Sequence, residues 1–296
     1  MAFSADRQAS GRSAFHTCAQ LTPSSEPERS PDACPSLAEV MACVERLAPP
    51  AYAENWDRSG LQIGDPAHEV RRIFLALDFT PRILKKAKEL DADLILTHHP
   101  LFFKALRELR ADNPMQAAIL ELVRSDMALY AAHTNLDACT DGVHEALAER
   151  LGAAVVATVF PIAGTESEAS GVQPGFVRVA EYAVAYAFSD WLHFVQKRLG
   201  GSGFFLSSRE PRDIRRIALS GGSYDASWTD GVVGKGVDAL LSGEIKYHDM
   251  LDLETRGIRA IAVGHDISER PVLRKLACYL KAQLPQLALT VEEESD

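Results

Sequence analysis

Cysteines are few in this sequence, and their spacing shows no pairs. The chain has five among its 296 residues, and no two of them have the C-x-x-C spacing that a thiolate zinc site uses. An odd number also does not fit a complete disulfide framework. Cysteine usage therefore favours a reducing compartment, and we expect a cytoplasmic protein. The five are Cys18, Cys34, Cys43, Cys139 and Cys278.

Long apolar runs and an excess of positive charge are also missing. No apolar run approaches the ~18 residues that a membrane span needs. The N-terminus lacks the apolar stretch of about 7–15 residues that marks a signal peptide. The net charge of -10 argues against a protein that holds nucleic acid through phosphate contacts. We therefore expect neither a membrane nor a nucleic acid as a partner.

One segment departs from the acidic balance of the chain. Residues 71–110 carry nine Lys and Arg against five Asp and Glu. A solvated helix face is the ordinary explanation of such a charge run. The alternative is a local positive field that favours an anionic substrate.

Apolar residues, in contrast, are plentiful enough for a folded core. They make up 47% of the chain, and 296 residues allow one large domain or two ordinary ones. Residues 1–36 are an exception, because they are rich in Ser, Pro and Ala and show no periodicity. Such a segment cannot bury enough apolar surface to offset its ordering entropy. It is predicted to be a disordered N-terminal tail.

Apolar strand patterns alternate with helical patterns from residue 37 onward. A capping box, with Ser36 as the N-cap and Glu39 three residues later, predicts the first helix. Strands are predicted at 71–78, at 93–99 and from 127, and helices at 81–90, 113–125 and 141–152. This βαβαβα order predicts a parallel sheet that is covered by helices.

The second half of the chain repeats the pattern less regularly. Residues 161–175 form a polar, Gly- and Pro-rich loop, which is a candidate domain boundary. Further strands are predicted at 176–187, 214–220, 236–243, 257–264 and 287–291, and helices at 189–201, with Ser189 as N-cap, and 269–284. The predicted fold class is α/β, with helices packed on mostly parallel mixed sheets. Its two related domains are residues 37–160 plus 256–296, and residues 161–255.

Histidines and carboxylates follow three of the apolar strands at their carboxyl ends. His98 and His99 end the first run, His133 ends the second and leads to Asp137, and His265 ends the third and leads to Glu269. Ligands bind outside the carboxyl ends of strands in open α/β sheets. If the three strands share one sheet, these six groups converge there.

Each of these residues has an ordinary structural explanation when taken alone. A single His at a strand end is usually a surface or capping residue. Asp137 alone could form an Asx turn or cap a helix, and Glu269 alone could be a first-turn helix acid. The recurrence at three strand ends is what favours a functional site.

Four histidines and two carboxylates without a cysteine form a nitrogen and oxygen ligand set. Such a set suits Zn, Fe, Mn or Co, and it suits Mg if water completes the sphere. Six ligands exceed the need of one tetrahedral ion, so two divalent ions bridged by a carboxylate are the economical hypothesis. His98 and His99 leave the chain on different sides, and each could serve a different ion. A helical turn from Gly264 would place His265 and Glu269 on one face.

Two further motifs could reach this site from the second unit. Glu244 or His248, in GEIKYHDML at 243–251, could act there, although Glu244 could equally cap the next helix. The paired glycines in ALSGGSYD, at 218–225, could cradle a phosphate or could be a simple turn.

The motifs taken together resemble the Nif-three-like dinuclear metal-centre family, often labelled GTP cyclohydrolase 1 type 2. The resemblance covers residues from about 37 to 296. The motifs are NWDRSGLQIGDP (55–66), LALD (75–78), DLILTHHPLFF (93–103), AAHTNLDACTDGVHEALAERLG (131–152), DALLSGEIKYHDML (238–251) and AVGHDISE (262–269). One departure is Asp266, at a position where the family usually has Tyr.

The resemblance implies a two-domain Nif-three-like fold, a homohexamer built as a trimer of dimers, and two metal ions per subunit. The ligands that it implies are His98, His99, Asp137, His265 and Glu269, with Glu269 as the bridge. His133 and Glu244 would lie near the metals, as candidates for proton transfer.

The leading functional hypothesis is a metal-dependent hydrolase. Two ions about 3.5–4 Å apart would lower the pKa of a bridging water toward neutrality. Ring opening of a purine nucleotide, as in GTP cyclohydrolase chemistry, is one candidate reaction, and phosphoester or amide hydrolysis fits the residues equally well. The alternative is a non-catalytic metal-binding or adaptor protein with a ring-shaped assembly. A plain Rossmann cofactor domain is disfavoured, because no G-x-G-x-x-G follows the first strand.

Overall fold

The computed structural model describes residues 34–165, 172–201, 204–207 and 212–292. The helices are α1 (Leu37–Leu47), α2 (Pro81–Glu89), α3 (Pro114–Arg124), α4 (Thr134–Ala138), α5 (Val143–Leu151), α6 (Phe188–Leu199), α7 (Thr229–Gly234), α8 (Tyr247–Thr255), α9 (His265–Glu269) and α10 (Pro271–Gln283). The strands are β1 (Gly60–Ile63), β2 (Arg72–Ala76), β3 (Leu94–Thr97), β4 (Ala128–Ala131), β5 (Ala154–Pro161), β6 (Gly175–Ala187), β7 (Phe205–Leu206), β8 (Asp213–Ser223), β9 (Ala239–Glu244), β10 (Arg259–Ala262) and β11 (Ala288–Val291). The predicted disordered tail, residues 1–36, lies outside the described residues except for residues 34–36. Within the described ranges no helix is long and apolar enough to cross a membrane.

The first sheet has the strand order β1-β4-β3-β2-β11. Strands β4, β3, β2 and β11 are parallel, and β1 is an antiparallel edge strand. Strands β3 and β4 are buried along their whole length, as expected for parallel strands with helices on both faces. The predicted βαβαβα series is confirmed. The last helix and strand return to this sheet, because β11 pairs with β2.

The second sheet has the order β5-β6-β8-β9-β10-β7, with β8, β9 and β10 parallel. The expectation that all three histidine-bearing strands share one sheet is wrong, because β10 pairs with β9 and β7 here. The expected boundary at 161–175 does not separate the sheets either. Strand β5, which precedes that segment, already pairs antiparallel with β6 in the second sheet.

Capping side chains mark the starts of the first three helices. Ser36 and Glu39 form the predicted capping box of α1. Helix α3 begins at Pro114 behind the Asn113 cap, and α5 ends at Gly152, whose φ of +67° is left-handed. The predicted cap Ser189 is wrong, because α6 begins one residue earlier at the buried Phe188.

A buried arginine ties the second sheet to the first. Arg178, on β6, has no solvent-exposed surface. Its guanidinium pairs with Glu145 of α5 and donates hydrogen bonds to the carbonyls of Gly175, Ala138 and Cys139. The last two carbonyls close the C-terminus of α4, so a residue of the second sheet fixes the end of a helix that follows β4.

We expect the Arg178→Met variant to lose about 3–5 kcal/mol of unfolding free energy, because it leaves Glu145 as a buried charge without its partner. Chemical denaturation monitored by circular dichroism measures the change. The matched control is Arg72→Met, whose ion pair with Asp91 is exposed, and it should change by no more than about 1 kcal/mol. Equal losses in the two variants would contradict the buried role of Arg178.

Candidate metal centre

Six side chains converge where the two sheets meet. His98 and His99 follow β3, His133 follows β4, and Asp137 lies one helical turn later in α4. His265 and Glu269 lie in the single-turn helix α9 that follows β10. The predicted convergence is therefore found, although one of the three strands belongs to the second sheet.

Glu269 lies at the centre of this cluster. Its Oε1 atom is 3.2 Å from His265 Nε2 and 3.7 Å from His98 Nε2, and its Oε2 atom is 3.1 Å from His99 Nε2. His98 Nε2 is also 3.6 Å from Asp137 Oδ1. Three overlapping groups have donor atoms close enough to hold a metal ion. They are His98 with His99 and His133, His99 with His265 and Glu269, and His98 with Asp137 and Glu269.

Hydrogen bonds at the far side of each ring decide which nitrogen faces the cluster. His98 Nδ1 lies 2.8 Å from the Ala132 carbonyl, which can only accept, so Nδ1 carries the proton. His99 Nδ1 lies 3.0 Å from Asp78 Oδ1 in the same way. In the neutral form of each ring, Nε2 therefore carries the lone pair that can bind a metal, which is the arrangement that metal-bound histidines adopt.

Asp57 accepts a hydrogen bond from Nδ1 of His133, so the Nε2 atom of that ring also faces the cluster. Its carboxylate accepts from His133 Nδ1 at 2.7 Å and from the backbone and hydroxyl of Thr134 at 3.1 and 2.6 Å. Burial opposes ionisation, but the hydrogen bonds from His133, Ser59 and Thr134 outweigh it and hold the pKa of Asp57 well below its usual range. Asp57 thus stays ionised and orients the ring.

Sequence reasoning missed Asp57 and Asp78. Both lie in motifs that carried the family resemblance, NWDRSGLQIGDP and LALD. The available signal was the carboxylates in these motifs, but nothing in the spacing shows which of them meets a histidine.

The donor set fits a metal ion on two observations. First, His98 Nε2, Asp137 Oδ1 and Glu269 Oε2 are buried and have no hydrogen-bond partner. Buried polar atoms of that kind are rare unless an ion or water satisfies them. Second, the donor atoms around Glu269 and His98 lie 3.1–3.7 Å apart. Ligands bonded at about 2.1 Å to one ion have a similar spacing.

The two acids of the cluster have opposite pKa shifts. Burial opposes ionisation of Glu269, but His98, His265 and His99 outweigh it and hold its pKa well below the usual range. Burial raises the pKa of Asp137, and the negative charge of Glu269 adds to that rise while His98 opposes it. The metal-free cluster therefore holds one firmly ionised carboxylate, and a cation would favour ionisation of the second.

The pKa of His99 is strongly raised. Burial opposes its protonation, but the neighbouring carboxylates of Asp78 and Glu269 outweigh burial and raise its pKa to about 10. A metal ion must therefore displace a proton from this ring.

The paired glycines lie against Glu269. A Cβ atom on Gly222 would overlap Glu269 Oε1, and the residue has a φ of +63°. Its N–H donates to Ser268 Oγ at 2.9 Å. Gly243 has no room for a Cβ either, because Gly222 O and the His265 backbone are too close. The glycines therefore allow α9 to approach β8 and β9, and this role accounts for them without a bound phosphate.

The other residues singled out from the sequence lie at the rim or away from the cluster. Glu244 is 63% exposed, with Oε2 3.6 Å from His265 Nδ1. It also accepts from Ser223 Oγ at 2.9 Å. His248 is exposed, and its ring contacts Tyr247. Asp266, which stands where the family usually has Tyr, pairs with Arg270 at 3.0 Å.

His144 is a residue whose place the sequence did not reveal. It is buried, and its Nδ1 donates to the carbonyl of Asp137 at 2.8 Å. Burial and the charge of Arg178 lower its pKa to about 3, so the ring is neutral near pH 7. Its helical position has no motif that could have linked it to Asp137.

The Gly222→Ala variant should bind metal at least about tenfold more weakly than the wild type, because its methyl group displaces the Glu269 carboxylate. Metal titration of the chelator-treated protein measures the affinity. Gly234→Ala is the matched control, because no atom lies within 4 Å of a Cβ at that position. Unchanged affinity in a folded Gly222→Ala protein would contradict the placement of Glu269.

Comparison with known proteins places this site in a family. A family model described as Duf34/NIF3 (NGG1p interacting factor 3) matches residues 35–295. A Clostridium perfringens protein named GTP cyclohydrolase 1 type 2 homolog is 32% identical over 250 residues, which are 84% of this chain and 92% of that protein. A protein of the same name from Streptomyces coelicolor is 33% identical over 240 residues, or 80% and 82% of the two chains.

A solved structure supports the fold. The crystal structure of a Bacillus cereus protein related to NIF3 superposes with a TM-score of 0.79 at 20% identity, covering 89% of this chain and 98% of that one. The predicted α/β fold and the resemblance drawn from the motifs are both confirmed. The chain belongs to the Duf34/NIF3 family.

Proposed function

We propose that this chain is a metal-dependent hydrolase that holds two divalent ions. The observation that carries the proposal is the position of Glu269 between two groups of donors. One group contains His98 and Asp137, and the other contains His99 and His265. A carboxylate with donors on both sides is the arrangement expected of a bridging ligand. The nitrogen-rich set favours Zn, Fe, Mn or Co over Mg.

Two ions in such a site lower the pKa of a water molecule toward neutrality and polarise a substrate oxygen. The chain supplies groups for proton transfer beside them. His133 has its Nδ1 proton fixed by Asp57, so its Nε2 can accept a proton. Glu244, at the rim, can exchange one with solvent. His133 also lies in one of the three metal-competent groups, so binding a metal is its alternative role.

Solvent exposure of the ligands supports catalysis over metal storage. Side chains of His265 and His99 are 35% and 21% exposed, whereas those of His98 and Glu269 are 0% and 4% exposed. One side of the cluster is therefore accessible to a small molecule. Catalytic metal sites keep an open position of this kind, and structural sites are closed by protein ligands.

Three classes of substrate fit the site. Relatives in the family carry the name GTP cyclohydrolase 1 type 2 homolog, which makes a purine nucleotide one candidate. Phosphoesters and amides are the others. The basic balance of residues 71–110 favours an anionic substrate in each case.

We also propose that the chain works in the cytoplasm as a homohexamer, a trimer of dimers. The family resemblance supports the assembly. The small number of cysteines and their spacing support a reducing compartment.

Elemental analysis of protein purified without chelator should find about two metal ions per chain, together with hydrolysis in a panel of nucleotides, phosphoesters and amides. The variant His98→Ala/His99→Ala removes a ligand from each donor group and should lose both metal and turnover. His193→Ala is the matched control, because this exposed histidine of α6 lies outside the donor groups, with its Nδ1 2.9 Å from the Ser189 carbonyl.

Absence of stoichiometric metal in the wild type would refute the hydrolase proposal. Two ions per chain without turnover on any substrate class would instead favour the non-catalytic metal-binding protein.

Metal affinity should rise with pH, because His99 and other ligands must lose protons before they bind a metal. In the metal-free protein His99 has a pKa of about 10 and is protonated near pH 7. Binding should therefore release at least one proton there, and affinity should fall further as the pH drops. Titration calorimetry in buffers of different ionisation enthalpy counts the protons. No proton release at pH 7 would contradict the proposed ligand role of His99.

A further inference from the structure

Three aromatic rings meet beside the metal ligands, and we call Trp56, Phe103 and His133 the aromatic corner. The ring centroids of Trp56 and Phe103 are 5.6 Å apart. Each of these rings also meets His133 nearly edge-on, at 6.0 and 6.3 Å. His133 in turn lies 5.3 Å from His98 and 5.6 Å from His99. The aromatic corner is thus continuous with the metal cluster.

Much of this aromatic surface faces solvent. Trp56 and Phe103 are each 55% exposed. Two adjoining exposed rings form a contiguous apolar patch, which is a recognised mark of a ligand site. Their contact with His133 places this uncovered ring surface beside His98 and His99.

The chain segments that carry the two rings are held in place. Asp57, next to Trp56, accepts hydrogen bonds from His133 and Thr134. Phe102, next to Phe103, donates its N–H to Gln62 Oε1 at 3.3 Å. The backbone beside each ring is therefore fixed relative to the cluster before any ligand arrives, which lowers the entropy cost of binding.

Positive charge follows both rings in the chain. Arg58 lies two residues after Trp56, and Lys104 and Arg107 follow Phe103. All three are exposed. In the part of the chain that the structure describes, none of the three forms an ion pair, in contrast to Arg110, which pairs with Asp112. These cations remain available to an anionic group of a ligand.

We propose that the aromatic corner is a stacking subsite for the planar heteroaromatic ring of a small anionic substrate. The proposal rests on the proposed function and names the substrate class of the same site. A flat ring stacked on Trp56 or Phe103 would lie beside His133 and the ligands His98 and His99. Its anionic group would meet the cations that follow the two rings. An aliphatic amide would make no use of the exposed ring surface.

Calorimetric titration with guanosine monophosphate and with ribose 5-phosphate tests the subsite, because these probes differ only by the base. Metal-loaded wild-type protein should bind the nucleotide at least about tenfold more tightly, since stacking of one base on an aromatic side chain contributes of that order. Trp56→Leu should abolish most of this difference and leave ribose 5-phosphate binding unchanged. Trp56→Phe, which keeps a ring, should retain most of it.

Phe205→Leu is the matched control, because it removes a ring that is 77% exposed and forms none of the ring contacts of the aromatic corner. It should bind both probes as the wild type does. Metal content is measured on every sample. A variant that loses its metal bears on the proposed function. A variant that keeps its metal but loses the difference in affinity between the two probes bears on the subsite.

Three results would overturn the subsite. One is equal wild-type affinity for the two probes in protein that holds its metal. Another is an unchanged difference in affinity between the two probes in both Trp56→Leu and Phe103→Leu. The third is a smaller assembly mass for these two variants in sedimentation, which would assign the ring surface to a contact between subunits.

Discussion

A buried carboxylate among three imidazoles is the constraint on which this structure depends. Glu269 has a side chain only 4% exposed and lies within 3.1–3.7 Å of ring nitrogens of His98, His99 and His265. Such a group cannot stay ionised in a protein interior without compensating charge. The imidazoles supply part of it, and a divalent cation would supply more. Glycine at position 222 follows from the same constraint, because any side chain there would occupy the space of the carboxylate.

Both sheets hold side chains of the cluster in place. The packing that stabilises the fold therefore also determines the geometry of the candidate site. The first sheet supplies the carbonyl and carboxylates that fix the imidazole tautomers, such as Asp57 and Asp78. The second sheet supplies β10 and the turn of helix that carries Glu269. Arg178, also in the second sheet, closes α4 just after Asp137. A movement of one sheet against the other would therefore separate the candidate metal ligands.

The sequence predicted which side chains converge better than it predicted the sheets. His98, His133 and His265 each end an apolar run, and side chains at the carboxyl ends of strands converge here even though two sheets contribute. The apolar pattern of the residues that form β10 is compatible with a position in either sheet, because buried parallel strands have the same apolar pattern in both. Asp57 escaped notice because its hydrogen bond to His133 spans 76 residues, and no local pattern records such a contact.

Exposure divides the cluster into two unequal halves, and this bears on how the proposed ions would act. His98 is fully buried and Asp137 is 17% exposed, whereas His99 and His265 are 21% and 35% exposed. An ion held by the buried pair with Glu269 would be shielded from solvent and slow to exchange. An ion held by the exposed pair would meet the substrate directly. Glu269 would couple the two ions, because electron density that one ion draws from the carboxylate is no longer available to the other. The aromatic corner borders both halves through His133, whose ring lies near His98 and His99. A substrate seated there would therefore lie beside one candidate ligand of each proposed ion.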